Sequence, residues 1–223
     1  MFEHVSLPEL DFTIKQVNSD NGRKYVTPNG DSYPSVTTVL SSYNKQAILE
    51  WRQRVGDAEA NRISSQASRR GTAMHSACED YLLNEMTSMK LQMMMPNVKQ
   101  LFRQLTPHLD ANIGKVYCLE KSLYSDILRI AGQVDCIAEW EGKISVIDFK
   151  TSSKYKKKEN IQNYFMQCSA YALMFEHLTG IVIDQIVVAI AVEEGDIPQF
   201  FIEEKYKYVD NLLEYVRQTH EKS

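Results

Sequence analysis

Gly132-Gln133-Val134-Asp135, followed after a short turn by Val146-Ile147-Asp148-Phe149-Lys150, is the stretch on which the fold turns. Side chains alternate along a strand, so Asp148 and Lys150 share one face while Ile147 and Phe149 enter the opposite layer. The surrounding segments, LRIAGQVDCIAEW (128–140) and KISVIDFKT (143–151), both carry a period of two, and Glu141-Gly142 supplies the turn between them. Pairing of strands joined this closely brings Asp135 beside Asp148, which places two carboxylates and an ammonium in one small volume. Charges among valine, isoleucine and phenylalanine side chains are costly to bury unless something compensates them. A divalent cation does so, because hard cations prefer carboxylate, carbonyl and water oxygens. Taken alone, Asp-x-Lys also describes an ion pair on a solvent-facing strand.

Working outward, KVYCLEKSLYS (115–125) reads as a further strand, which completes an antiparallel meander. Residues 159–178 form a helix with its stop at Gly180. Two strands flank Gly195-Asp196, and a helix over 206–220 closes the chain, so residues 113–223 read βββαββα. Upstream, a small hairpin is expected around Asn29-Gly30 within residues 24–39. Helical periodicity begins at Ser35 with Val36, Val39 and Leu40. One helix is expected from Lys45 to about Ile63, another from about Ser65 to Asn84 and a third from Pro96 to about Ala111. Residues 1–112 are therefore read as a mainly helical portion. The whole chain, 1–223, is read as one α/β domain, since no linker or repeat interrupts it and 223 residues lie below the ~250–300 at which single cores stop growing.

Composition narrows the class. With 43% hydrophobic and 24% charged residues the chain can bury a core. Its net charge of −4 gives no global footprint for a polyanion partner, so positive charge that meets phosphate has to be local. The four cysteines, Cys78, Cys118, Cys136 and Cys168, lack the close pairing of zinc or redox motifs. The opening residues read as neither signal nor transit peptide, and no apolar run reaches the ~18 residues of a membrane span. A reducing, cytoplasmic setting without membrane contact is expected.

Gly-Gln-Val-Asp (132–135), Asp-Phe-Lys (148–150) and Gln167-Cys168-Ser169-Ala170-Tyr171 resemble, in order and spacing, the motif series of the RecB-type branch of the PD-(D/E)XK nuclease superfamily. Arg70-Gly71-Thr72-Ala73-Met74-His75-Ser76-Ala77-Cys78-Glu79 is similar to the helical element of that branch. Residues 34–40, PSVTTVL, and 51–63, WRQRVGDAEANRI, look like the opening of small phage exonucleases and of the mitochondrial genome maintenance exonuclease group. The resemblance covers roughly residues 34–192. It implies a restriction-endonuclease-like three-layer core with a mixed β-sheet flanked by helices, the N-terminal helical portion covering the active site.

The resemblance further implies His75, Asp135 and Asp148 as ligands of Mg²⁺ or Mn²⁺, with the Phe149 carbonyl as another, and Lys150 as the catalytic lysine. Gln167 and Tyr171, four apart on one helix face, would reach the DNA or Lys150. Glu79, one turn from His75, is a candidate to orient its imidazole, and Glu120 is a further acidic candidate. The run Lys154-Tyr155-Lys156-Lys157-Lys158, together with Arg70, is a candidate DNA contact, with Tyr155 available for stacking; Arg52, Arg54 and Arg69 are subsidiary. The implied substrate is DNA with a free single-stranded end, in recombination, repair or genome processing, and the implied setting is a bacteriophage. A helicase or single-strand-binding protein is the kind of partner such a setting implies. No iron–sulfur cluster is expected, since nothing beyond Cys168 is cysteine, and no ATP use, since no Walker loop is present. The rival readings are a catalytically silent DNA-binding or scaffolding protein of the same fold, a structure-specific endonuclease, and a hydrolase of RNA or another phosphoester.

Overall fold

In a computed structural model, which describes residues 1–19 and 22–221, the chain begins with β1 (Glu3–His4), β2 (Lys15–Ser19), β3 (Gly22–Val26) and β4 (Ser32–Pro34). Five helices follow: α1 (Val36–Val39), α2 (Lys45–Val55), α3 (Asp57–Leu82), α4 (Ser88–Met93) and α5 (Pro96–Asn112). The second half runs β5 (Ile113–Ser125), β6 (Ile130–Trp140), β7 (Lys143–Ser152), α6 (Gln162–Thr179), β8 (Gln185–Val192), β9 (Gln199–Glu204) and α7 (Tyr206–Glu221).

The meander forms as the period of two requires. β5, β6 and β7 pair antiparallel, with Cys136 opposite Ile147 and Trp140 opposite Lys143. Both turn residues between β6 and β7, Glu141 at φ 52° and Gly142 at φ 77°, take left-handed backbone, as a two-residue turn matched to strand twist demands. Helix α6 then carries the chain to β8, which lies parallel to β7; β1 is parallel to β5 and β9 antiparallel to β8. The result is one six-stranded mixed sheet in the order β1-β5-β6-β7-β8-β9. Gly180 ends α6 in left-handed backbone, donating its N–H to Glu176 O.

Helices cover both faces. On one, Phe165, Ala172 and Phe175 of α6 and Leu212 of α7 pack against Val134, Val146, Val188 and Ile190. On the other, Met74 and Cys78 of α3 and Leu101 and Leu105 of α5 pack against Cys136, Ile147, Phe149 and Val187. This is the three-layer α/β core with a mixed sheet that the sequence implies, and Ile147 and Phe149 do point away from the layer of Val146.

The first half departs from expectation in two respects. The hairpin at Asn29-Gly30 is present, with Gly30 at φ 90°, but it belongs to a three-stranded sheet, β2-β3-β4. Buried Tyr25 and Tyr33 seat that sheet on Ala131, and Ser35 bridges to Ala131 directly, so it stands beside the Gly-Gln-Val-Asp segment. The helix boundary expected near residue 64 lies instead at Gly56, whose φ of 84° and ψ of 149° suit glycine alone. From Asp57 the helix runs unbroken through Ser64 and Ser65, with Asp57 and Glu59 in its first turn complementing the helix dipole. Neither β1, β2 nor α4 was signalled by a strong pattern.

Candidate active site

The site begins with the register. Leu119 pairs with Cys136 and Lys121 with Val134, which sets Glu120 opposite Asp135 across β5 and β6. Glu120 interrupts the strand with φ 42°, a left-handed conformation disfavoured for a residue with a side chain. Packing also changes face here: Val134 lies in the α6 layer and Cys136 in the α3 layer, although both would share a face in an unbroken alternation. Such local irregularities re-aim side chains and cluster at functional sites.

Into this break comes His75 from α3. Its Nδ1 lies 3.2 Å from Asp135 Oδ1 and 3.6 Å from Glu120 Oε1. One ligand atom from each of His75, Glu120 and Asp135 falls within 4.8 Å of the others. The second oxygen of Asp135 accepts the Phe149 N–H at 2.8 Å, and Gln133 Nε2 donates to Glu120 Oε2 at 2.7 Å. Lys150 Nζ stands 2.5 Å from Asp148 Oδ2, a close ion pair. Asp148 is 1% exposed, and its other carboxylate oxygen, Oδ1, is buried without a hydrogen-bond partner.

A buried carboxylate oxygen without a partner, beside a cluster of imidazole and carboxylate donors, fits a divalent cation, because buried oxygens otherwise find hydrogen-bond partners. The donor set suits Mg²⁺ or Mn²⁺, the imidazole favouring tolerance of the latter. Glu120 is the nearer third member of the cluster, and Asp148 completes the acidic group behind it.

Electrostatics follow from burial and pairing. Burial raises the Asp148 carboxyl to about 6, helped by the charge of Asp135 and opposed by Lys150. For Asp135 burial acts in the same direction, but His75, Lys150 and the Phe149 N–H outweigh it and hold the carboxyl below its usual range. Burial alone would lower His75; hydrogen bonding to Asp135 and Glu120 reverses this and lifts the imidazole to about 10. Lys150 is likewise raised despite burial, by Asp148 and Asp135, so its ammonium stays charged.

Gln167 and Tyr171 face the same cavity from α6, with Gln167 Nε2 donating to Tyr171 Oη at 3.2 Å. The cavity encloses about 210 Å³, and its walls also include His75, Lys150 and Gly132. Sequence reading missed several of its residues. Arg23 and Tyr25 enter from β3, Ser35 caps α1 and Thr37 lies in its first turn, while Tyr164, beyond the cavity wall, places its ring 5.2 Å from Lys150 Nζ. Gln133 sits inside the motif yet had no assigned part.

Other candidates are placed elsewhere. Arg70 bonds Thr151 and forms an ion pair with Glu193, which fastens α3 to the ends of β7 and β8. Glu79 lines the outer cleft beside His75 and Glu120, but Glu120 and Asp135 hold the imidazole instead, and no hydrogen bond joins Glu79 to it among the described residues. In the basic run, Lys158 pairs with Glu203, Lys154 lies 3.8 Å from Glu194, and the Lys156 backbone is clasped by Gln199. Tyr155 leans over Gly195, where a Cβ would come within 2.4 Å of its hydroxyl. Lys156 and Lys157 remain exposed without a carboxylate partner among the described residues. Arg52 is held by Asp57 and Asn61. No helix among the described residues is long and apolar enough to cross a membrane.

Comparison with known proteins adds a lineage to this geometry. The chain is 31% identical over 158 residues to Mitochondrial genome maintenance exonuclease 1 of Homo sapiens, covering 66% of this chain and 45% of that protein. It is 30% identical over 186 residues to the Xenopus tropicalis protein of the same name, covering 78% and 52%. The chain thus spans about half the length of these relatives. Among solved structures, one described as the crystal structure of SSO0001 aligns at 14% identity with a TM-score of 0.40, over 78% of this chain and 70% of that one. The family model of the PD-(D/E)XK nuclease superfamily matches residues 87–221, from just before α4 to the end of α7, a region that contains Glu120, Asp135, Asp148 and Lys150 but not His75. That match takes in most of the chain, and the chain belongs to the PD-(D/E)XK nuclease superfamily.

Proposed function

We propose that this chain is a divalent-metal-dependent deoxyribonuclease that hydrolyses phosphodiester bonds, acting as an exonuclease on single-stranded ends. The observation that carries the reading is the cluster of His75, Glu120 and Asp135 beside the buried Asp148 and Lys150 pair, in which Asp148 Oδ1 has no hydrogen-bond partner. His75, Asp135, Asp148 and Glu120 would hold Mg²⁺ or Mn²⁺, with the Phe149 carbonyl as a further donor. A divalent cation bound there supplies Lewis acidity at the scissile phosphate and acidifies the attacking water.

The remaining work falls to the chain's own groups. Lys150, kept charged by Asp148 and Asp135, stabilises the negative charge that builds on the phosphate as the bond breaks, and acts as a cation rather than as a base. Its ammonium is steadied by the Tyr164 ring. Tyr171, whose phenol is raised by burial above all, stays protonated; with Gln167 it offers hydrogen bonds toward the strand. Gln133 fixes the Glu120 carboxylate, and Glu79 adds negative charge at the outer cleft. Lys156 and Lys157 offer phosphate contacts outside the cavity, with Lys154, Tyr155 and Lys158 fixing the loop that carries them.

A cavity of about 210 Å³ admits a phosphate and its sugar, and the preference for single strands draws on the resemblance to the RecB-type branch. The free-end requirement and a role in genome maintenance draw on the names of the relatives, and recombination or repair on the resemblance alone. End-labelled single-stranded, duplex and circular DNA should be incubated with Mg²⁺, Mn²⁺ or EDTA, with Asp148→Ala in parallel. Metal-dependent loss of linear single strands, spared circles and an inert variant are expected. Strand binding without cleavage under every metal would instead establish a silent DNA-binding protein.

A further inference from the structure

Two cavities meet at Arg23 and Thr37. One is the catalytic cavity; the other, of about 560 Å³, extends from it over β2, β3 and α1 to Asn18, Thr38 and Ser41. Its volume falls within the ~300–1,000 Å³ of ligand pockets. Among the described residues, every side chain along this groove carries a hydroxyl, an amide or a guanidinium. On the other side of the site lies a cleft of about 630 Å³ that shares His75, Glu120 and Gln133 and includes Glu79. The catalytic cavity thus opens toward a cationic, hydroxyl-rich groove in one direction and toward an acidic cleft in the other.

Arg23 differs from the paired cations near the site. Arg70 is paired with Glu193, Lys150 with Asp148 and Lys158 with Glu203, whereas the exposed Arg23 guanidinium has no carboxylate partner among the described residues. Its backbone is fixed. The Arg23 N–H donates to Thr38 Oγ1 at 3.1 Å, and Arg23 O accepts the Thr38 hydroxyl at 3.1 Å and the Ser35 N–H at 2.9 Å. Gly22 permits this approach: its φ is 104°, and a Cβ there would lie 2.7 Å from the Thr38 side chain.

Guanidinium and hydroxyl donors without base-reading shape hold phosphate oxygens and fix the register of a strand, whatever its sequence. The geometry points to the groove of Arg23, Thr37 and Ser41 as the docking subsite for the phosphodiester backbone adjoining the scissile bond, with Arg23 as the positioning residue. This rests on the nuclease reading and deepens it. The strand is gripped on the Arg23 side, whereas the other cleft presents the carboxylates of Glu79 and Glu120.

The test is Arg23→Gln, a change that leaves the backbone clasp intact and removes no side-chain partner. Binding of a labelled oligothymidylate is measured in EDTA across a salt series, with 5′-phosphorylated and 5′-hydroxyl versions compared, and cleavage kinetics are run separately with metal. We expect binding about five- to tenfold weaker and a log–log salt slope shallower by about 0.7, the share of one phosphate contact on a single strand. KM should rise with kcat nearly unchanged, and a loss equal for both end chemistries identifies an internal phosphate as the docked group. A loss confined to the 5′-phosphorylated strand identifies the terminal phosphate. Wild-type binding and cleavage with an unaltered Arg23→Gln variant overturn the subsite alone. Wild-type protein that binds no strand overturns the nuclease reading and the subsite together.

Discussion

Phe149 and Asp135 are joined across β6 and β7 by a hydrogen bond in which the Phe149 N–H donates to Asp135 Oδ2 at 2.8 Å, while Oδ1 of the same carboxylate faces His75. One carboxylate therefore completes the backbone of the sheet with one oxygen and builds the site with the other. An asparagine can keep the first contact but supplies no charge for the second. Asp135→Asn should unfold earlier than wild type by the loss of its charge pairing with His75 and Lys150, while keeping the Phe149 contact and losing cleavage by about a hundredfold or more. Asp135→Leu leaves the Phe149 N–H buried and unpaired, at a cost of about 1–3 kcal/mol. Thermal unfolding and strand cleavage, measured on both variants, separate the two functions; Asp135→Asn that cleaves like wild type would place the chemistry elsewhere.

His75 gives the metal-free protein a pH signature. Its imidazole is raised from 6.5 to about 10 by Asp135 and Glu120, against the effect of burial. A raised folded pKa contributes stability that is complete below about pH 6.5 and is lost as pH climbs through about 10. Ligation needs the neutral ring, so metal uptake between those limits must expel the proton. Titration of Mn²⁺ at pH 8 in two buffers of different ionisation enthalpy should show release approaching one proton, which disappears in His75→Ala. Equal release from both proteins would assign the proton to another group.

The Asp148 and Lys150 pair predicts a stability effect that metal should repair. Removing Lys150 strands a carboxylate that is 1% exposed, and breaking a buried pair in this way costs about 3–5 kcal/mol. Lys150→Met should therefore unfold earlier than wild type in EDTA, and Mn²⁺ should narrow the gap, since the cation replaces the lost positive charge. Activity should not return with stability, because the charge facing the phosphate is gone. A variant as stable as wild type in EDTA would show that the pair carries little of the burial cost.

Much of this site was legible because its members obey short periods. Asp148 and Lys150 are two apart on a strand and Gln167 and Tyr171 four apart on a helix, so their shared faces follow from local geometry. Glu120 was legible only as an acidic residue in the right strand; its position opposite Asp135 depends on the pairing register of β5 and β6, and its left-handed backbone is something alternation does not encode. Arg70 shows the opposite limit. Its partner Glu193 lies 123 residues away, and no local pattern distinguishes an arginine that fastens α3 from one that meets phosphate. Arg23 and Tyr25 reach the cavity because a separate sheet is seated on Ala131, a tertiary contact without a sequence signature. Gly56 was a visible breaker, overridden in the reading by the helical period on either side of it.

Gly132 supplies the last prediction, because the structure explains why the motif opens with glycine. A Cβ at this position would lie 2.8 Å from Tyr171 Cε1 and 3.3 Å from its hydroxyl. Tyr171 is 3% exposed and packed within the α6 layer, so the ring cannot swing into solvent to make room. Gly132→Ala must push the ring aside, which strains a filled core by about 1–3 kcal/mol and pulls the phenol away from Gln167. Cleavage should fall along with stability even though no charged group has changed. Shortening the ring in Tyr171→Leu relieves the clash, so in a double-mutant cycle the second substitution should cost less in the Gly132→Ala background than in wild type. Strict additivity of the two unfolding free energies would mean that the alanine methyl is accommodated without displacing Tyr171, and that the glycine answers to some other constraint.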